Sequence, residues 1–80
     1  MGNYKIMVET TNSKKIAQTH MNTLRSHAID CSIKTLNIDN TTLYSVQAGP
    51  FSYKKDALVN IDKIKRLGVK NAFITNAAPN

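Results

Sequence analysis

The sequence predicts an α+β fold of βαββαβ order: two pseudo-symmetric repeats that build a four-stranded antiparallel sheet with both helices on one face, the ferredoxin-like architecture. Three observations carry that reading. The chain matches itself at an offset of 40 residues without a gap. Short segments alternate apolar and polar residues with the period of a strand. Two longer segments hold apolar residues at helical spacing, with cap and stop residues at their ends.

In the repeat, Tyr4 falls on Tyr44, Ile6 on Val46, Val8 on Ala48, Lys14 and Lys15 on Lys54 and Lys55, and Ala17 on Ala57. Leu24 falls on Ile64, Ile29 on Val69, Ile33 on Phe73 and Thr35 on Thr75. Any one match is weak, but half a chain in register is hard to reach by chance. The repeats cover about 4–36 and 44–76 within one domain of residues 3–76, and 77–80 reads as a tail. One βαβ unit leaves its apolar face bare; two units side by side cover it.

Each element has a local reason. Tyr4-Lys5-Ile6-Met7-Val8 alternates as a half-buried strand should. Thr11-Asn12-Ser13 offers capping side chains for a helix that carries Ile16, Ala17, His20, Met21, Leu24 and Ala28 on its apolar stripe. A second strand lies within Cys31 to Ile38, where Ile33 and Leu36 cannot face the same way. Asp39-Asn40 marks the turn into the next strand, Tyr44 to Ala48, which Gly49-Pro50 is expected to end. Ser52 is the expected cap of the second helix, with Ala57, Leu58, Ile61, Ile64 and Leu67 as its buried stripe. Gly68 fits the left-handed position that stops that helix, and Val69 to Thr75 completes the sheet.

Alternation sends Tyr4, Ile6 and Val8, with Tyr44, Val46 and Ala48, toward the helices. Lys5, Met7, Ser45 and Gln47 then stand on the opposite face, joined by Phe73 if Ala72 and Ile74 point inward. In this architecture that face is free for a ligand.

Composition narrows the partner classes. The chain has 80 residues, 41% of them hydrophobic, enough for one small core. Its net charge of +6 favours polyanions such as nucleic acid, an anionic membrane or an anionic wall polymer. A single cysteine, Cys31, excludes an intrachain disulfide and reads as a small buried side chain. No apolar run approaches a membrane span, and the N-terminus carries no signal-peptide pattern.

Candidate chemistry is sparse. Lys14, Lys15, Lys54 and Lys55 fall in the first turns of the two helices and read either as solvated surface or as anion contacts beside free backbone N–H groups. His20, His27 and Cys31 match no zinc spacing, and neither a metal nor a cofactor is expected. Glu9, Asp30, Asp39, Asp56 and Asp62 offer no pair for acid–base work on a glycosidic bond, and no nucleophile motif is present. The chain therefore reads as a binding module rather than an enzyme. RNA recognition on the same architecture would need exposed aromatics on the strands, where the alternation puts Ser45 and Gln47. Oligomerisation is a third reading.

The run Tyr44-Ser45-Val46-Gln47-Ala48-Gly49-Pro50-Phe51, followed by Lys55-Asp56-Ala57, Leu67-Gly68-Val69 and Ala72-Phe73-Ile74, closely resembles a SPOR repeat. The resemblance covers about Tyr4 to Thr75, and the first half joins it mainly through the repeat symmetry. It implies a peptidoglycan-binding module of βαββαβ fold, as found at the C-terminal end of amidases, phage endolysins and other wall-lytic enzymes. By that resemblance the partner is cell-wall glycan or an anionic wall polymer, and the parent a cell-wall hydrolase. The site of action is the bacterial wall or the extracellular space, reached by a phage-type route where no signal precedes the chain. The ligand face would comprise Lys5, Met7, Thr10, Leu43, Ser45, Gln47 and Phe73. The family's first strand usually carries a Gln, a Gly and a Phe where this chain has Met7, Glu9 and Thr11. Those departures point to a changed ligand, or to a homodimer through an unusually apolar face.

Overall fold

A computed structural model of the chain describes residues 3–77. Its elements are β1 (Asn3–Thr11), α1 (Lys14–Ser26), β2 (Cys31–Ile38), β3 (Thr41–Phe51), α2 (Lys54–Arg66) and β4 (Phe73–Ala77). The strands form one antiparallel sheet in the order β2-β3-β1-β4. Both helices pack on one face of it, against the strands rather than against each other. The core lies in that layer and holds Ile6, Val8, Ala17, Leu24, Ile29, Cys31, Val46, Ala48, Ile64 and Ala72. These are the apolar positions that alternation and helical spacing select.

Local chemistry explains where the helices begin and end. Ser13 caps α1, its Oγ accepting the Ile16 N–H at 3.1 Å, and Thr11 Oγ1 accepts the Ser13 N–H. At the far end the Ile29 N–H reaches back to Leu24 O and the Ala28 N–H to Arg25 O, which is the Schellman closure. The second repeat ends its helix the same way, with Val69 bonded to Ile64 O and Gly68 to Lys65 O. Both repeats therefore need a left-handed residue at this point, and Ala28 at φ 61° stands where Gly68 stands at φ 106°.

Several expectations fail for identifiable reasons. β3 does not end at Gly49-Pro50 but passes through it to Phe51, which pairs with Tyr4. The extra residue there is absorbed as a bulge, a place where a strand tolerates proline. The cap of α2 is Tyr53, not Ser52, and its side chain makes no capping hydrogen bond. Ala28 lies beyond α1 and is exposed, as are Ile16 and His20 on the helix itself. On α2 only Ala57 and Ile64 are buried, with Ile61 half-buried, while Leu58 and Leu67 face solvent. Leu58 sits about 100° round the helix from Ala57, too far to reach the sheet. β4 starts at Phe73 rather than Val69, because the Val69 N–H is already bonded to Ile64 in the helix closure. Ala77 belongs to β4 rather than to a tail, and 78–80 lie outside the described residues.

Candidate functional site

The sheet register fixes which side chains share the face away from the helices. One row across the strands reads Ser32, Gln47, Met7, Phe73 from β2 through β3 and β1 to β4. The next reads Lys34, Ser45, Thr10, and at the far edge Leu36 pairs with Leu43. Lys5 and Thr75 pair on the other side of the Met7 row. All seven face residues expected from the sequence thus come together, and β2 and β4 add Ser32, Lys34, Leu36 and Thr75. The missing four were within reach: once Ile33 turns to the core with Val46, alternation puts Ser32, Lys34 and Leu36 outside, and it puts Thr75 on the same side as Phe73.

Thr10 reaches this face only because β1 bulges. Met7 pairs with Gln47, but Glu9 rather than Val8 pairs with Val46, so Val8 and Glu9 together oppose one residue. Such a bulge keeps both side chains on one side of the sheet. Val8 remains in the core, Glu9 turns toward α1, and Thr10 returns to the open face opposite Ser45. Glu9 Oε2 meets Nδ1 of His20, an ion-pair geometry that the sequence reading did not foresee.

The face is graded in polarity. At one end Met7 is half-buried and Phe73 is 58% exposed, and together with Thr10 and Asn71 they line a shallow groove of about 310 Å³. In the middle, the Gln47 amide donates to Ser45 Oγ at 3.2 Å. Ser45 has no exposed surface at all, which corrects its expected place as a ligand contact. A small side chain on a central strand is roofed by its neighbours, and its hydroxyl instead orients Gln47, which remains half-exposed. Lys5 and Lys34 supply positive charge, and Glu9, turned toward α1, borders the groove from the bulge.

The four helix lysines are exposed but do not converge. α1 and α2 follow antiparallel strands β1 and β3, so their N-terminal turns lie at opposite ends of the molecule, with Lys14 and Lys15 at one and Lys54 and Lys55 at the other. His20, His27 and Cys31 do not meet either. His27 bonds Thr23 O, and the buried Cys31 thiol donates to Met21 O. Burial pushes that thiol above its ordinary value, with the nearby Arg25 pulling the other way. No metal-binding group occurs among the described residues.

This arrangement has a counterpart in known proteins. The model of the SPOR domain family matches residues 1–76. The chain belongs to the SPOR domain family. Among solved structures, the solution structure of the peptidoglycan binding domain of the B. subtilis cell wall lytic enzyme CwlC superposes with a TM-score of 0.77 at 26% identity, covering 98% of this chain and 92% of that one. The crystal structure of the RlpA SPOR domain from Pseudomonas aeruginosa gives a TM-score of 0.79 at 19% identity, covering 98% of this chain and all of the other, and shows the shared fold. No curated protein matches the chain. SPOR membership agrees with the βαββαβ order and the two repeats. The helices cover one face of the sheet and leave the Met7 row open.

Proposed function

We propose that this SPOR domain is a non-catalytic peptidoglycan-binding module and that its ligand lies across the open sheet face. The observation that carries the proposal is the juxtaposition of an apolar groove at Met7 and Phe73 with the oriented amide of Gln47 and the Thr10 hydroxyl. A sugar ring presents an apolar face and a rim of hydroxyls, so it can rest on Phe73 while Gln47 and Thr10 exchange hydrogen bonds with it. The similarity to the CwlC domain, itself described as peptidoglycan binding, supports the same reading. Lys5 and Lys34, within a net charge of +6, draw the domain to an anionic wall. The domain then serves to hold a neighbouring cell-wall hydrolase on its substrate, at the bacterial wall or in the periplasm.

The same groove favours a second reading, a homodimer through the sheet face, because Phe73 is largely exposed beside Met7. RNA binding is disfavoured. Phe73 is the face's aromatic and lies on edge strand β4, whereas Tyr44 packs against the core. The test is co-sedimentation with purified sacculi beside a single-stranded RNA control, with the molar mass in solution measured in parallel. Retention on sacculi and not on RNA is expected. Binding to RNA alone, or a tight dimer that ignores sacculi, would overturn the proposal.

A further inference from the structure

The sheet has two free edges, and the two repeats treat them differently. At β2 the edge is closed. Asp30 O already accepts the Gly49 N–H, so the alternating ladder turns the next carbonyl, that of Cys31, away from β3. The guanidinium of Arg25, on α1, forks onto that carbonyl at 2.9 and 3.2 Å. Lys34 puts a charge in the middle of the same strand. Both features hinder a further strand from adding there.

The other edge is β4, which pairs with β1 on one side only. At the 40-residue offset, Gln18 and Arg25 of the first repeat fall on Leu58 and Lys65 of the second. The helical phase that brings Arg25 over β2 therefore brings Leu58 and Lys65 over β4, on the side of α2 away from Leu67 and α1. Among the described residues no side chain takes a β4 carbonyl as Arg25 takes that of Cys31. Leu58 is 50% exposed, and the half-buried Ile61 and Ile74 continue its apolar surface down to the strand. On the opposite face of the strand Phe73 is largely exposed. The chain holds 11 Lys and Arg, yet Phe73-Ile74-Thr75-Asn76-Ala77 carries no charge. An unpaired, uncharged strand with apolar side chains exposed above and below it is a surface for strand addition.

We infer that β4 pairs with β4 of a second copy of this chain, antiparallel about Thr75, to make one eight-stranded sheet. Charge selects this occupant. An acidic strand finds no cation on β4, whereas a strand of the same sequence brings no charge into the seam. Antiparallel pairing of identical strands is two-fold and closes on itself, so assembly stops at two. Thr75 then faces Thr75 of the second copy, a favourable cross-strand pair, and Ile74 faces Asn76 on the helix side. Leu58 and Ile61 of the two α2 helices cover the seam. Lys5 of each copy, beside Thr75 on β1, stays three strand spacings from the other, about 14 Å, beyond the screening length of about 8 Å at physiological salt. The net charge of +6 on each copy opposes the pairing at longer range, so added salt strengthens it. Unlike a dimer through the open face, this one leaves that face bare and sets two Met7 rows side by side on one surface.

Sedimentation equilibrium from micromolar to millimolar protein, at low and high salt, tests the pairing together with the concentration dependence of the backbone amide shifts. The expected result is a monomer–dimer equilibrium with no larger species and more dimer in high salt. Shifts should fall on Leu58 and on Phe73 to Asn76, and not on Thr10 or Gln47. Asn76→Lys places a guarding charge on the edge, and Leu58→Lys places one above it; both positions are exposed and lie outside the proposed ligand face. Each should raise the dimer Kd about tenfold or more, with the unfolding midpoint nearly unchanged. A monomer at every concentration, a dimer whose shifts fall on Met7 and Gln47, or a dimer indifferent to both substitutions would overturn the inference. None of these readouts depends on whether the open face binds glycan.

Discussion

The two repeats share the strand-helix-strand order, and the contrast between them is sharpest at one equivalent position, Glu9 in the first and Gly49 in the second. Both lie in bulges of the central strands. At Gly49 the backbone takes φ +99°, and an added Cβ would stand 2.9 Å from both Tyr4 O and the Phe51 ring. Only glycine fits there, and the position serves the fold. At Glu9 no such constraint applies, and the side chain reaches His20 on α1. Repetition thus supplied two copies of a bulge, one fixed by backbone geometry and one left free to place a carboxylate against α1.

The largest effect that would break this contrast is at Gly49. Gly49→Ala should cost about 3 kcal/mol in urea unfolding, from steric overlap with Tyr4 O and a strained φ. Glu9→Gly should cost about 1 kcal/mol or less, the sum of a partly exposed ion pair and added backbone freedom. Equal losses at both positions would remove the contrast. Next comes the proposed ligand face: Phe73→Ala should lower affinity for sacculi about tenfold with the unfolding midpoint nearly unchanged, because the ring is largely exposed.

The helix ends sharpen the comparison on a smaller scale. Here the second repeat has the fitted residue and the first does not. Ala28→Gly should raise stability by about 0.5–1 kcal/mol, and Gly68→Ala should lower it by about 1 kcal/mol, since an added Cβ at Gly68 meets nothing and the cost is conformational. The smallest effect is at Cys31, which has no titratable counterpart in the second repeat. Its thiol is pushed up in the folded chain, so the folded state holds its proton above the pH at which the unfolded chain releases it. That contribution is complete below the ordinary thiol value and fades as pH rises through the folded one. Stability should therefore fall less steeply above neutral pH in Cys31→Ala than in the parent, as chemical denaturation at a series of pH values would show.

The fold was legible because burial obeys simple periods. Ile6, Val8, Val46 and Ala48 alternate, Ala17 and Leu24 or Ala57 and Ile64 lie a helical spacing apart, and the repeat at 40 residues ties the two sets together. What stayed hidden departs from one-to-one strand pairing. Alternation carried straight through Val8 cannot bring Glu9 to α1, and a proline read as a strand end conceals a strand that bulges and continues. The face as a set was readable, but Ser45 was not: its burial comes from its neighbours across three strands, which no local pattern reports. The Glu9–His20 contact was unreadable for the same reason, because the two residues meet only through tertiary packing.

The central claim is that glycan lies on the Met7 row of the sheet. The most direct measurement is the amide-shift footprint of soluble glycan strands freed of stem peptides. The expected footprint covers Met7, Thr10, Gln47 and Phe73, spreads to Ser32 and Lys34, and disappears in Met7→Asp with the dispersion of the core amides retained. Shifts confined to the helix surfaces around Lys14, Lys15, Lys54 and Lys55, with Met7→Asp binding as the parent does, would contradict it.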